Sequence, residues 1–480
     1  MSWGQPFPDC YFVPRPGGRR VDTADRGVKP PRMEPDALTC LTAWDKAHAW
    51  HPFTQMQDWT APEHQPLFIV GGEGAWLTDH AGKQYLDGNS TIWTNLHGHR
   101  HPRLDAALLD QCGKIAHVSA LGFCHAPATR LARALVALWP ENTLTRVFFS
   151  DDGSTAIECA VKMALQYHQL TGHPERTGFA AFENAYHGDT MAAATLGGIE
   201  TFAGRFRRFG LTTHHFPDMA ALEKLPEEVR GSLAAVIIEP LIQGSAGMRT
   251  WPHGMLTSLR RWCDEHGILL ICDEVMTGFG RTGRMFACEH EGMVPDFLCL
   301  AKGLTGGYLP LAATLTKERI YEAFLGRYDE LKTFFYGHSY TGNPLACAVA
   351  LASLEIFREE DTLTKLQPKI ARLAQGLTSL QARHPQHIGS VRQCGFIAGI
   401  DLMADAPARQ SYPWQAQTGA RVCVAAREAG LLTRPIRDTL VLMLPLCATP
   451  AGIDVALEAL SYGITAVCGS AGAGQDVLAK

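Results

Sequence analysis

The sequence predicts an α/β fold with a mainly parallel sheet between helices, plus a smaller α+β domain. Three observations carry this. First, five apolar runs are continuous rather than alternating: Arg146–Phe149, Gly178–Phe182, Ala234–Ile238, Ile268–Ile271 and Phe297–Leu300. Continuous apolarity means burial on both faces, which is how a parallel sheet covered by helices reads. Second, these runs alternate with longer helical patterns between about residues 100 and 315. Third, the C-terminal part mixes helix signals with isolated strand candidates at Phe396–Ile400 and Thr439–Leu444.

The elements follow in order. Residues 1–40 are rich in Pro, Gly and Arg without periodicity and are expected to be a disordered extension. Residues 41–95 are expected to begin the small domain, with a hairpin pattern from Gly71 to Asp87 turning at Ala81-Gly82. Residues 96–365 make the large domain. Helix signals from about Asn343 to Phe357 and from Thr362 to Arg383 lead into residues 366–468, the C-terminal part of the small domain. Residues 469–480 form a Gly/Ala-rich tail.

Composition narrows the function. A net charge of −5 argues against a nucleic-acid surface. The apolar runs are strand-sized, too short to span a bilayer. Fourteen cysteines are scattered, several inside apolar runs (Cys159, Cys272, Cys299, Cys423). They read as reduced thiols of a cytoplasmic protein. His97-Gly98-His99-Arg100-His101 has no acid or cysteine nearby to complete a metal site, so a turn with structural imidazoles is expected.

Chemistry gathers at strand ends. Lys302 follows the run Phe297–Leu300, and Asp273 follows Ile268–Ile271. Their separation of 29 residues (302 − 273) suits one crossover between neighbouring parallel strands, which puts both at the same carboxyl edge. A lysine buried there loses hydration, so its neutral, nucleophilic amine becomes accessible and can form a Schiff base with an aldehyde. A buried carboxylate can pair with a pyridinium nitrogen. Gly153 and Ser154 open a helix directly after a strand, where backbone amides and the helix dipole favour an anion such as a phosphate. An ordinary N-cap is the plainer reading of that stretch. Together, lysine, acid and cradle point to pyridoxal phosphate.

Other residues stand beside these. Tyr186 lies after the strand ending at Phe182, placed to stack on a flat ring. Glu239 closes Ala234–Ile238 and either orients Asp273 or a polar group of the cofactor, or caps nearby backbone. Arg281, in a glycine-punctuated loop after Asp273, is able to swing towards the site. Gly337, His338 and Ser339 belong to a polar loop suited to completing a phosphate site, including that of a second subunit. Arg434 is either a fixed cation for a substrate carboxylate or a solvated surface arginine.

Between about residues 45 and 465 these motifs resemble the class III aminotransferases of pyridoxal-phosphate fold type I. Trp50-His51-Pro52-Phe53-Thr54-Gln55-Met56, Tyr186-His187-Gly188-Asp189-Thr190, Gly278–Gly283 and Lys302–Gly307 look like the biotin-pathway branch, which aminates 8-amino-7-oxononanoate. The resemblance implies a seven-stranded large-domain sheet and a homodimer whose interface completes the site. It implies Lys302 as the covalent anchor and proton shuttle, with Asp273 at the ring nitrogen and Tyr186 on the ring. Gly153 and Ser154 would hold the phosphate, joined by the partner subunit's Ser339. Arg434 would hold the substrate carboxylate, and Asp189 and Gly337 would line the substrate site. The amino donor would be S-adenosylmethionine or L-lysine. Phe53 and the Ile92-Trp93 pair stand where adenosylmethionine users carry a tyrosine and two tryptophans, and Gly337-His338-Ser339 replaces Gly-Pro-Thr. The local text is closer to the lysine-donating branch. Another class III ω-amino acid aminotransferase is the competing reading.

Overall fold

The computed structural model describes residues 33–469. The expected extension up to residue 32 and the tail from residue 470 lie outside the described residues. A helix over Pro35–His48 begins inside the stretch read as an extension. Its terminal signals are local: a proline at the first turn, Asp36 near the positive end of the dipole, and Lys46 and His48 near the negative end.

The large sheet has seven strands in the spatial order Arg146–Ser150, Ala312–Thr316, Phe297–Leu300, Leu269–Asp273, Leu233–Ile238, Gly178–Phe182, Thr213–Phe216. Ala312–Thr316 runs antiparallel to both neighbours, and the other pairs are parallel. Every residue of Leu233–Ile238, Leu269–Asp273 and Phe297–Leu300 is buried, which is why these strands read as unbroken apolar runs. Two strands escaped that pattern. Thr213–Phe216 is an edge strand, only half-buried, so Thr-His-His-Phe suffices. Ala312–Thr316 is fully buried yet carries two threonines; the Thr314 and Thr316 hydroxyls donate to the carbonyls of Ala156 and Asp296, which makes their burial tolerable.

Distant segments build the remaining sheets. Ile69–Glu73, Trp76–Asp79 and Gln84–Asp87 form a meander to which Leu431–Leu432 adds in parallel, so segments more than 340 residues apart share one sheet. Ile388–Cys394, Ile397–Leu402, Thr439–Leu442 and Pro435–Ile436 form another. The helix Pro450–Cys468 is long and apolar enough to cross a membrane, with a mean hydropathy of 1.3, so the expectation of only strand-sized apolar runs needs correcting. Half of it is buried, and it packs against the helices Thr418–Glu428 and Thr362–Arg383, with Ile453, Leu457, Leu460 and Ile464 inward. Packing of that kind is what a core helix needs its apolar residues for.

Candidate active site

The strands ending at Phe182, Ile238, Asp273 and Leu300 lead into one cavity of about 1040 Å³. Tyr186, Glu239, Asp273 and Lys302 all line it. Asp273 ends its strand in register with Cys299 of the neighbouring parallel strand, and Lys302 follows just beyond. Both therefore stand at the same sheet edge. Burial pushes the Lys302 amine below its ordinary value, and the charges of Asp273 and Glu239 only partly oppose this. The Lys302 backbone is left-handed (φ 44°), and Nζ sits 4.8 Å from the centre of the Trp93 ring, with no hydrogen bond among the described residues. A left-handed non-glycine residue at a functional position is strain retained for geometry.

Asp273 is held from behind. Its Oδ2 accepts a hydrogen bond from His187 Nδ1 at 2.8 Å, and its Oδ1 accepts one from the Val275 amide at 3.1 Å. His187 is fully buried at its side chain, and its Nε2 has no partner among the described residues. Sequence reasoning passed over His187, although it stands beside Tyr186 in the motif.

The cradle forms where the helix Gly153–Leu170 begins. Asp152 and Thr155 cap each other reciprocally, which uses the Thr155 amide and leaves those of Gly153 and Ser154 without an acceptor among the described residues. A Cβ on Gly153 would come within 2.6 Å of Val275, so the segment that follows Asp273 packs directly on the cradle. Ser154 Oγ accepts the Asp189 amide at 3.1 Å.

A family model for the class III aminotransferases matches residues 59–464. The chain belongs to the class III aminotransferases. It is 44% identical to the adenosylmethionine-8-amino-7-oxononanoate aminotransferase of Geobacter sulfurreducens over 449 residues, covering 89% of this chain and 98% of the relative. It is 47% identical to the protein of that name from Nitratidesulfovibrio vulgaris, covering 89% and 82%. Among solved structures it is similar to that enzyme from Methanocaldococcus jannaschii, with a TM-score of 0.86, 42% identity and coverage of 89% and 99%. It is also similar to an amine transaminase from an uncultivated Pseudomonas species in its PLP-bound form, with a TM-score of 0.80 and 34% identity.

The class III cofactor, pyridoxal phosphate, suits the residues present. A desolvated amine without a hydrogen bond, a carboxylate anchored by an imidazole, and two unused helix-start amides meet in one cavity, as an aldehyde, a pyridinium and a phosphate require. Tyr186 is fixed at both ends: its amide donates to Glu239 Oε1 at 3.0 Å and its hydroxyl to Asp189 Oδ2 at 2.6 Å. Glu239 also accepts the Gly244 amide at 2.9 Å, so it caps backbone as the plainer reading had it, and burial pushes its carboxyl up to about 7.

Phe53, Ile92, Trp93 and Arg434 line the cavity too. Several expected residues do not. Asp189 borders a much smaller neighbouring pocket and anchors the Tyr186 phenol instead. Arg281 is fully buried away from the cavity and does not swing towards Asp273. Its guanidinium donates to Ser90 Oγ and to the carbonyls of Leu444 and Asn95, because loop carbonyls buried there need a donor with several N–H groups. Gly337, His338 and Ser339 stand outside their own chain's cavity; His338 reaches Asp151, which lines it. The structure adds Phe202, whose ring meets those of Phe53 and Tyr186 edge-on, and Arg437. Neither carried a pattern visible in sequence.

Proposed function

We propose that this chain transfers an amino group to 8-amino-7-oxononanoate in biotin biosynthesis, with L-lysine as donor. The observation that carries the reading is the meeting of Lys302, Asp273 and the Gly153–Ser154 cradle in one cavity that Arg434 also lines. The names of the relatives supply the acceptor, and they also print adenosylmethionine, the competing donor. Phe53 and Ile92 support the donor: Phe53 has no hydroxyl to hydrogen-bond an adenosyl group, and the aliphatic Ile92 gives an adenine no aromatic face to stack on.

When bound, pyridoxal phosphate supplies an electron-withdrawing ring that acidifies the carbon bearing the transferred nitrogen. The residues do the rest. Gly153 and Ser154 would hold the phosphate. Asp273, steadied by His187, would pair with the ring nitrogen and favour its protonated form. Tyr186, clamped by Glu239 and Asp189, would pack against the ring. Lys302 Nζ, its basicity lowered by burial, would take the proton from the substrate carbon and hand it back in the same site. Arg434 holds the carboxylate that orients the substrate.

The site is completed in a homodimer. Leu121, Phe123, Phe335 and Tyr340 are exposed, the last two in the segment that carries Gly337, His338 and Ser339, and such exposed apolar side chains suit contact with a second copy. That loop would serve the neighbour's phosphate. The described cysteines are free, in keeping with a reducing cytoplasm.

Purified protein should show the visible absorption of bound cofactor and form 7,8-diaminononanoate from 8-amino-7-oxononanoate faster with L-lysine than with S-adenosylmethionine. Lys302→Ala should lose the visible band and roughly 10³-fold or more of the rate. An unchanged band removes Lys302 from its role. Turnover of other ω-amino acids without any of 8-amino-7-oxononanoate transfers the chain to a different class III activity.

A further inference from the structure

The strands Pro435–Ile436 and Thr439–Leu442 pair as Ile436 with Thr439, so only Arg437 and Asp438 turn between them. A two-residue hairpin loop needs a positive φ at its first position, where glycine is the usual occupant. Here the occupant is arginine, with φ 52°. A left-handed arginine is strained relative to glycine, and strain retained at a cavity wall points to a use.

Arg437 lines the same cavity as Lys302 and Arg434. Its side chain is exposed and has no hydrogen bond or ion pair among the described residues. Acids on neighbouring segments are engaged elsewhere. Asp401 binds Arg392, and Asp438 accepts the Gly419 amide. Two guanidinium groups without a partner among the described residues, three positions apart at the start and at the turn of one hairpin, therefore border one cavity. A transaminase working between an amino acid and an oxo acid must seat two different carboxylates in turn while presenting both reacting centres to one lysine. In 8-amino-7-oxononanoate the carboxylate lies at the far end of the chain from the reacting carbonyl. A donor amino acid of different length puts its carboxylate elsewhere, beyond what one fixed cation can serve.

We infer that Arg437 is a second carboxylate-binding residue, used by the amino donor, while Arg434 serves the oxo acid; this rests on the function proposed above. Each contact is a charge-assisted hydrogen bond in a partly solvated setting, so its loss is felt mainly in binding.

The test is Arg437→Gly in the full-length holoenzyme, followed by the donor half-reaction as loss of the cofactor's visible band. With L-lysine, KM should rise about fivefold and kcat change less than about twofold. L-Lysinamide, which lacks the carboxylate, should show the same constants in wild type and variant. KM for 8-amino-7-oxononanoate should not move, and Arg437→Lys should restore part of the lysine KM. Because glycine relieves the backbone, the variant should melt at or slightly above the wild-type temperature, which separates lost binding from misfolding. An unchanged lysine KM, or an equal loss with lysinamide, overturns the inference and leaves the proposed function standing. A wild-type holoenzyme that L-lysine does not convert overturns the lysine reading and this inference with it.

Discussion

Gly188 shows how closely the residues around the cofactor site are fitted. Its φ is 123°, and a Cβ there would lie 2.2 Å from Ser154 Oγ. Sequence put Gly188 in a motif without a reason; packing provides one, because the loop carrying Tyr186 and His187 must lie directly on the cradle. Gly188→Ala must displace Ser154 or shift the loop. It should weaken cofactor binding about tenfold or more, read by titrating the apoprotein with pyridoxal phosphate, while the circular dichroism of the fold persists. Asp273 and Lys302 were legible because each follows an apolar strand. Asp189 and Arg281 were misread for a common reason: a polar side chain near a site in sequence has equally good partners in backbone and neighbours, and nothing in the local text says which it takes.

Among the elements, the turn Ser90–Trp93 is the most constrained. Its four residues have φ of 46°, 51°, 60° and 68°, a left-handed turn without glycine, at roughly 1–2 kcal/mol of strain per residue. It persists because it is tied on several sides. Asp87 accepts the Thr91 amide and hydroxyl, Asn89 accepts Trp93 Nε1, the Ser90 hydroxyl donates to the Met443 carbonyl, and Arg281 reaches Ser90 and Asn95. The turn presents Ile92 and Trp93 to the cavity. Arg281→Lys keeps a charge but lacks the fork that reaches these partners. It should cost about 3 kcal/mol, measured by denaturant unfolding, and should change the emission of the tryptophans, including Trp93. A loss under about 0.5 kcal/mol would show that the turn stands without its arginine.

Across the whole molecule, His97 joins the segment after this turn to the helix Pro344–Glu359 through Ser353 Oγ at 2.9 Å. Burial, with His101 and Arg281 nearby, pushes its imidazole down to about 3. The sign follows. The folded value lies below the ordinary 6.5, so the folded state resists protonation. The stability held by neutral His97 is complete above pH 6.5 and is lost as pH falls towards 3. His97→Gln keeps a hydrogen bond to Ser353 without a titrating group. Between pH 7.5 and 5 its stability should fall by about 2 kcal/mol less than wild type does, checked by urea unfolding at both values. Equal slopes would remove His97 from the acid response.

Sequence alone determined the parallel core, since continuous apolar runs have few other uses, and it determined the lysine, the acid and the helix start at the ends of those runs. It could not place strands whose burial depends on position rather than apolarity, such as Thr213–Phe216 at the sheet edge. Only the tertiary structure set His187 behind Asp273, drew Arg281 into the interior and left Arg437 facing the cavity. Apolar pattern is a local property written residue by residue, whereas the partner of a buried polar group is whichever segment the packed fold brings beside it.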